Sequence, residues 1–294
     1  MDKRRRPRPP AGHRPRKRFG QHFLADAWAV KVVKTIDVQP QDVLLEIGAG
    51  AGAITVPLAA TGAPLLAVEI DRDLAADLAA KVPPNVSIIT ADFLKTDVLP
   101  FLTALQPSHP PVATGAASGP VGHARRFRVV GNLPYNISSP ILFRLIELSR
   151  AHGIFADATL MVQREVADRL VAKPGSKAYG VLSVFAQIYA DIERKLDLPP
   201  TAFSPPPKVR SSVVRLTFRP SPVRIVDELV FQQVVKVAFM QRRKMLTNAL
   251  KHFDATAPAV LALAGIDGKR RPETLNLAEF AKLTELFAQV RARA

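Results

Sequence analysis

The stretch EIGAGAG, Glu46 to Gly52, decides how this chain is read. It closes an apolar run, VLLEI at 43–47, and leads into an Ala-rich segment with helical spacing. Glycines let the backbone turn tightly and approach a ligand, and the helix start that follows offers free N–H groups. The spacing departs from the dinucleotide pattern G-x-G-x-x-G, because the third glycine comes one residue early. No G-x-x-x-x-G-K-[ST] occurs, which speaks against a P-loop nucleotide hydrolase.

Working outward, further strand-length apolar runs fall at 65–70, 86–89, 127–131 and 158–163, with helix-compatible stretches at 26–36, 53–61, 72–81 and 140–150. Strands alternating with helices predict an α/β fold, a mainly parallel Rossmann-like sheet covered on both faces. Residues 105–126 are rich in Pro, Gly, Ala and Ser without apolar periodicity, so a mobile insertion loop is expected there. From about Pro220 only helical spacing remains. The expected organisation is a flexible basic arm at 1–18, a Rossmann-like domain at 19–219 and an all-helical RNA-binding domain at 220–294.

The strand ends carry chemistry. Glu69 ends the second run, where an acidic group accepts hydrogen bonds from two ribose hydroxyls. Asp71 and Asp73 are expected to cap the next helix. Asp92, at the end of the third run, could accept from the exocyclic amine of an adenine. Three strand ends thus converge on an adenosine-like ligand without a phosphate-binding lysine, which points to S-adenosylmethionine.

The fourth run opens into NLPY, Asn132 to Tyr135. An adenine amino group is a poor nucleophile because its lone pair is delocalised, and two acceptors aimed at its hydrogens would draw the nitrogen toward tetrahedral geometry. The Asn132 side-chain oxygen and the Leu133 carbonyl are the candidates, with Pro134 holding its predecessor extended. Tyr135 offers a ring for stacking a base, worth on the order of 1–3 kcal/mol. Phe203, in the proline-bracketed loop PPTAFSPPPKV, is the candidate for the opposite face. Ser138 and Ser139 before Pro140 are expected to start a helix as N-cap and first position.

The charge points to the partner. The chain carries 41 Lys and Arg against 25 Asp and Glu, a net +16, of which +8 lies in the first eighteen residues. An excess spread over tail and body favours a polyanion such as nucleic acid. The clusters Arg242, Arg243, Lys244 and Lys269, Arg270, Arg271 are candidate phosphate contacts in the helical region. There is no cysteine, and the six histidines have no spacing that places two on one helix face, so neither disulfides nor a metal site is expected. The basic start lacks an apolar h-region and no run reaches membrane-spanning length, so a cytoplasmic protein without membrane contact is expected.

The segments KRFGQHFL, LLEIGAGAG, VEIDRDL, VVGNLPYNISSPILF, MVQREVADRLVAKPGSKAYGVLSV, PPTAFSPPPKVRSSVVRL, AFMQRRKMLTNAL and AGIDGKRRPETLNLAEF resemble the bacterial small-subunit ribosomal RNA adenine N6-dimethyltransferases. The resemblance runs from about Lys17 to Phe287, broken by the insertion. It implies dimethylation at N6 of two neighbouring adenosines in the 3′-terminal hairpin loop of 16S ribosomal RNA within the small-subunit precursor. The donor is S-adenosylmethionine, leaving S-adenosylhomocysteine, and no metal takes part. It places cofactor contacts on His22, Leu24, Gly48, Gly50, Glu69, Asp92 and Asn132, and the target base on Tyr135 and Phe203. The family usually has Asn where this chain has His22. Two other readings stand beside it: a large-subunit adenosine methyltransferase of the antibiotic-resistance type, and a ribosome-assembly factor that mainly binds RNA. A monomer is expected.

Overall fold

The apolar runs become strands buried on both faces. In the computed structural model, which describes residues 21–105 and 126–293, these are β2 (Leu44–Ile47), β3 (Leu65–Glu69) and β5 (Phe127–Asn132). All of them are apolar almost without interruption, as a covered parallel sheet requires. The expected arm at 1–18 lies outside the described residues, as does the insertion at 105–126 apart from its two end residues.

The first half of the chain continues with β1 (Phe23–Leu24), α1 (Asp26–Ile36), α2 (Thr55–Ala59), α3 (Arg72–Ala79), β4 (Val86–Thr90), α4 (Leu99–Ala104), α5 (Ser138–His152) and β6 (Phe155–Gln163). After α6 (Arg164–Leu170) and α7 (Val181–Tyr189) come β7 (Ala190–Leu198), β8 (Phe203–Ser204) and β9 (Ser211–Phe218). The seven-stranded sheet has the order β4-β3-β2-β5-β6-β9-β7. Its first five strands pair in parallel, and β9 is antiparallel to β6. Strand order reverses between β2 and β5, and the crevice beyond the carboxyl ends of two such strands is where open α/β sheets bind ligands. EIGAGAG and NLPY both leave the sheet there.

Three local expectations change. The segment after the glycine turn forms only the five-residue α2, with turns before it. Helix α5 takes Ile137 as its N-cap, because the Ser138 hydroxyl donates to the Tyr135 carbonyl at 3.4 Å and does not cap. Strands β7 and β9 were not legible as strands, since β7 (ADIERKLDL) alternates charged and apolar residues at a sheet edge. The expectation for α3 is met: Asp71 caps it by accepting from the Asp73 amide at 3.2 Å.

At the opposite end of the sheet, Arg128 on β5 binds Asp157 on β6 through Nε (3.0 Å) and Nη2 (2.8 Å), and Asp42 through Nη1 (2.6 Å). The same guanidinium donates to the carbonyls of Ile36 and Asp37, closing the carboxyl end of α1.

The chain packs as two units. The first holds the described residues up to Ala167 together with Glu193–Phe218. The second holds Asp168–Ile192 and the chain from Arg219 onward, with α8 (Glu228–Met240), α9 (Leu246–Leu250), α10 (Ala257–Ala264) and α11 (Leu277–Arg293). Helix α7 joins the second unit although it lies well before Pro220. Its sequence VLSVFAQIY is apolar nearly all round, and Phe185 meets Phe231 of α8 edge-on, ring centroids 5.6 Å apart. Asn276 and Glu279 form a reciprocal cap at the start of α11, each side chain accepting from the other's amide.

Candidate active site

The carboxyl ends of β2, β3 and β5 line an open cleft of about 750 Å³, part of it solvent. On its walls lie His22, Leu24, Glu46, Gly48, Gly50, Glu69, Asn132, Leu133, Pro134 and Tyr135. The glycine turn reaches it through Gly50, whose φ of 56° is left-handed and whose amide donates to Glu69 Oε2 at 2.7 Å. Glu69 Oε1 accepts from the Asp71 amide at 2.8 Å. Both oxygens are thereby held in place, and each keeps a lone pair for a ligand hydroxyl. Burial pushes the Glu69 carboxyl above its ordinary value, while the Asp71 and Gly50 amides pull it back.

Glu46 was not singled out in the sequence as a site residue, yet it is the most informative group here. It is 1% exposed, and its Oε2, like the hydroxyl of Thr55, has no hydrogen-bond partner among the described residues. Burial pushes its carboxyl up to about 7, and the Glu69 charge adds to the rise. The signal was present: a carboxylate inside the buried run VLLEI is rarely retained without a partner. No Lys or Arg appears among the described residues lining the cleft. Two buried carboxyls with no counter-cation among the described residues suit a positively charged or hydroxyl-rich ligand. S-adenosylmethionine, with a sulfonium, an ammonium and a ribose, fits this donor set.

Glu46 makes the cleft pH-sensitive. Its folded pKa of about 7 lies above its ordinary 4.5, so the folded state holds an extra proton between those values. The ligand-free protein should therefore lose stability as pH rises from about 4.5 through about 7, and Glu46→Gln should flatten that dependence in urea titrations. Binding of a cationic cofactor would favour the ionised carboxylate, so calorimetry at pH 6 in two buffers of different ionisation enthalpy should show proton release, reduced in Glu46→Gln to whatever Glu69 contributes.

The NLPY turn supplies the other wall. The Asn132 amide Nδ2 donates to the His22 carbonyl at 3.2 Å, which leaves Oδ1 as the acceptor available to a substrate. The Leu133 amide donates to the Met161 carbonyl at 3.0 Å, tying the turn to β6. Tyr135 is anchored by its hydroxyl, 2.6 Å from Ser211 Oγ, and burial raises its pKa. The His22 ring stacks on Tyr135, with centroids 5.3 Å apart and planes inclined by 26°.

Two further expected residues are held by contacts within the protein. The Asp92 carboxylate accepts from the Leu94 amide at 3.0 Å in a turn and lies 3.9 Å from Lys95. Phe203 is 2% exposed and packs in the core with Leu24, Ile54, Met161 and Val213. Its place on β8, paired to Leu24 of β1, buries the ring in the ligand-free chain.

In the helical unit the two basic clusters are joined by backbone hydrogen bonds, from the Leu246 amide to the Arg270 carbonyl (2.8 Å) and from the Thr247 amide to the Gly268 carbonyl (3.1 Å). Arg243, Lys244, Lys269 and Arg271 are exposed. Arg242 donates to the Lys177 carbonyl at 2.6 Å, and Arg270 forks onto Glu279 and donates to the Thr274 carbonyl, so these two are committed to protein contacts. Among the described residues no group of three or more His, Cys, Asp or Glu is arranged to hold a metal ion, and no helix is long and apolar enough to cross a membrane.

The sheet order, with antiparallel β9 next to the parallel strands and the cleft at the β2/β5 reversal, defines a Rossmann-like methyltransferase fold. A dimethyladenosine transferase from Plasmodium falciparum has the same fold at 21% identity, with a TM-score of 0.67 over 91% of this chain and 98% of that one. The 23S rRNA methyltransferase ErmE superposes with a TM-score of 0.60 at 24% identity, over 91% and 100%. Residues 12–289 match the family described as ribosomal RNA adenine dimethylase, and the chain belongs to that family. Proteins named ribosomal RNA small subunit methyltransferase A are similar along nearly their whole length. The one from Syntrophotalea carbinolica is 44% identical over 281 residues, 94% of this chain and 97% of its own, and one from Xylella fastidiosa is 42% identical over 272 residues, 91% and 94%.

Proposed function

We propose that the protein dimethylates N6 of two adjacent adenosines in the 3′-terminal hairpin loop of 16S ribosomal RNA, within the small-subunit precursor, as a cytoplasmic monomer. The observation that carries this reading is the cleft itself: buried Glu46 and Glu69 on one wall, with no cation among the described lining residues, and Asn132 with its amide oxygen open on the other. The kinship with small-subunit enzymes at above 40% identity supports the choice of ribosomal subunit.

S-adenosylmethionine supplies an electrophilic methyl group on sulfonium. Glu69 would hold the ribose hydroxyls, and Glu46 would stand by the positive charge of the cofactor. The adenine leaves its stack and enters the cleft, where Asn132 Oδ1 and the Leu133 carbonyl accept the two N6 hydrogens. These acceptors would draw the nitrogen toward tetrahedral geometry for attack on the methyl and would stabilise the charge that develops on it. Tyr135 stacks on the base, and Pro134 keeps the Leu133 carbonyl in register. No side-chain base is needed before attack, because the proton becomes acidic only after the nitrogen is alkylated.

Tritiated methyl transfer to unmethylated small-subunit particles, naked 16S RNA and large-subunit RNA tests the proposal. Incorporation into small-subunit particles alone is expected, two methyls on each of two adenosines. Incorporation only into large-subunit RNA would establish the antibiotic-resistance type, and tight binding without incorporation would establish an assembly factor.

Exposed cations and committed ones should separate in the same system. Neutralising Lys269 or Arg243 should weaken RNA binding regardless of sequence and lower the slope of log affinity against log salt by about one for each residue. Arg270→Ala should instead lower the melting temperature, because it breaks the fork to Glu279.

A further inference from the structure

The His22 ring covers one face of Tyr135, the ring on which the substrate base is proposed to stack. We propose that His22 is a placeholder: its side chain holds the base seat shut until the target adenine displaces it. The inference rests on the adenine reading above and adds a positioning residue to it.

Three observations carry it. The first is space. Each face-to-face aromatic contact takes roughly 3.5 Å, so a base held between two rings needs them roughly 7 Å apart. His22 and Tyr135 stand at 5.3 Å and are nearly parallel, so a base cannot enter between them as they lie.

The second is which ring moves. The Tyr135 hydroxyl is held by Ser211 at 2.6 Å, on a residue that is itself fully buried at the start of β9. Among the described residues, the His22 side chain is held by the stack and by one polar contact, Nδ1 to the Pro205 carbonyl at 2.7 Å. A carbonyl only accepts, so Nδ1 carries the hydrogen. Breaking that one bond frees the ring to turn about its Cα–Cβ axis.

The third is proximity to the reacting group. The carbonyl of His22 accepts from Asn132 Nδ2, so the residue that fills the seat also orients the amide that would bind N6. The ring can swing away while the backbone stays, and the Asn132 oxygen remains aimed. Filled in this way, the seat discriminates against free nucleobases, which have no phosphate contacts elsewhere to offset the displaced stack. A base delivered by bound RNA has them.

The probe is free 2-aminopurine, whose fluorescence is quenched on stacking, titrated into protein saturated with S-adenosylhomocysteine so that the cofactor site is filled. His22→Ala should bind it about tenfold more tightly than the parent, the worth of one aromatic stack. His22→Asn, which keeps a polar group but no ring, should match His22→Ala. Adding Tyr135→Ala to either should abolish the gain. Equal affinities of parent and His22→Ala, including no binding by either, overturn the placeholder, and so does parent-like affinity in His22→Asn. Methyl transfer by the parent to unmethylated small-subunit particles is measured in parallel. Transfer with equal probe affinities removes the placeholder alone, whereas no transfer to any RNA removes the adenine reading and the placeholder with it.

Discussion

Asn132→Ala is expected to lower kcat for methyl transfer to small-subunit particles by roughly 10²–10³, the cost of one lost donor or acceptor aimed at developing charge. The size follows from the geometry: the amide is oriented before substrate arrives, because Nδ2 is already engaged by the His22 carbonyl. Asn132→Asp separates orientation from acceptor count. It keeps an oxygen for N6 but sets a second carboxylate oxygen against the His22 carbonyl, so its kcat should also fall while the melting temperature changes little for a half-buried residue. Full methylation by Asn132→Ala would remove this residue from the mechanism.

The largest expected loss of stability lies at the other end of the same strand. Arg128→Met should cost about 3–5 kcal/mol, because it leaves Asp157 and Asp42 without their cation in a buried site. It also strips the donors from the Ile36 and Asp37 carbonyls at the end of α1. Arg215 lies 3.6 Å from Asp157 and relieves only part of that loss. Urea unfolding measures the effect directly. Arg128→Met combined with Asp157→Asn should cost clearly less than the two changes separately, since each removes the same interaction. Strict additivity would mean that the pair does not hold β5 to β6.

The parallel half of the sheet was legible in the sequence because its strands are buried on both faces and stand out as unbroken apolar runs. The edge strand β7 was hidden by its charged residues, and β9 by the proline-rich segment before it. Helix α7 reads as an ordinary apolar helix at any position, and only its packing against α8 shows to which unit it belongs.

At the site, the sequence by itself determined which groups the strand ends can offer: a tight glycine turn, an acid at Glu69 and an NLPY turn with two candidate acceptors. These are local, set by residue type and by the end of a strand. Only the tertiary structure decided which groups share the cleft. It brought in Glu46, whose buried Oε2 has no hydrogen-bond partner among the described residues, and set Asp92 in a turn and Phe203 in the core. It also placed His22 across Tyr135 and committed Arg242 and Arg270 to protein partners. Burial and partnership arise between distant segments, so no reading of one segment at a time contains them.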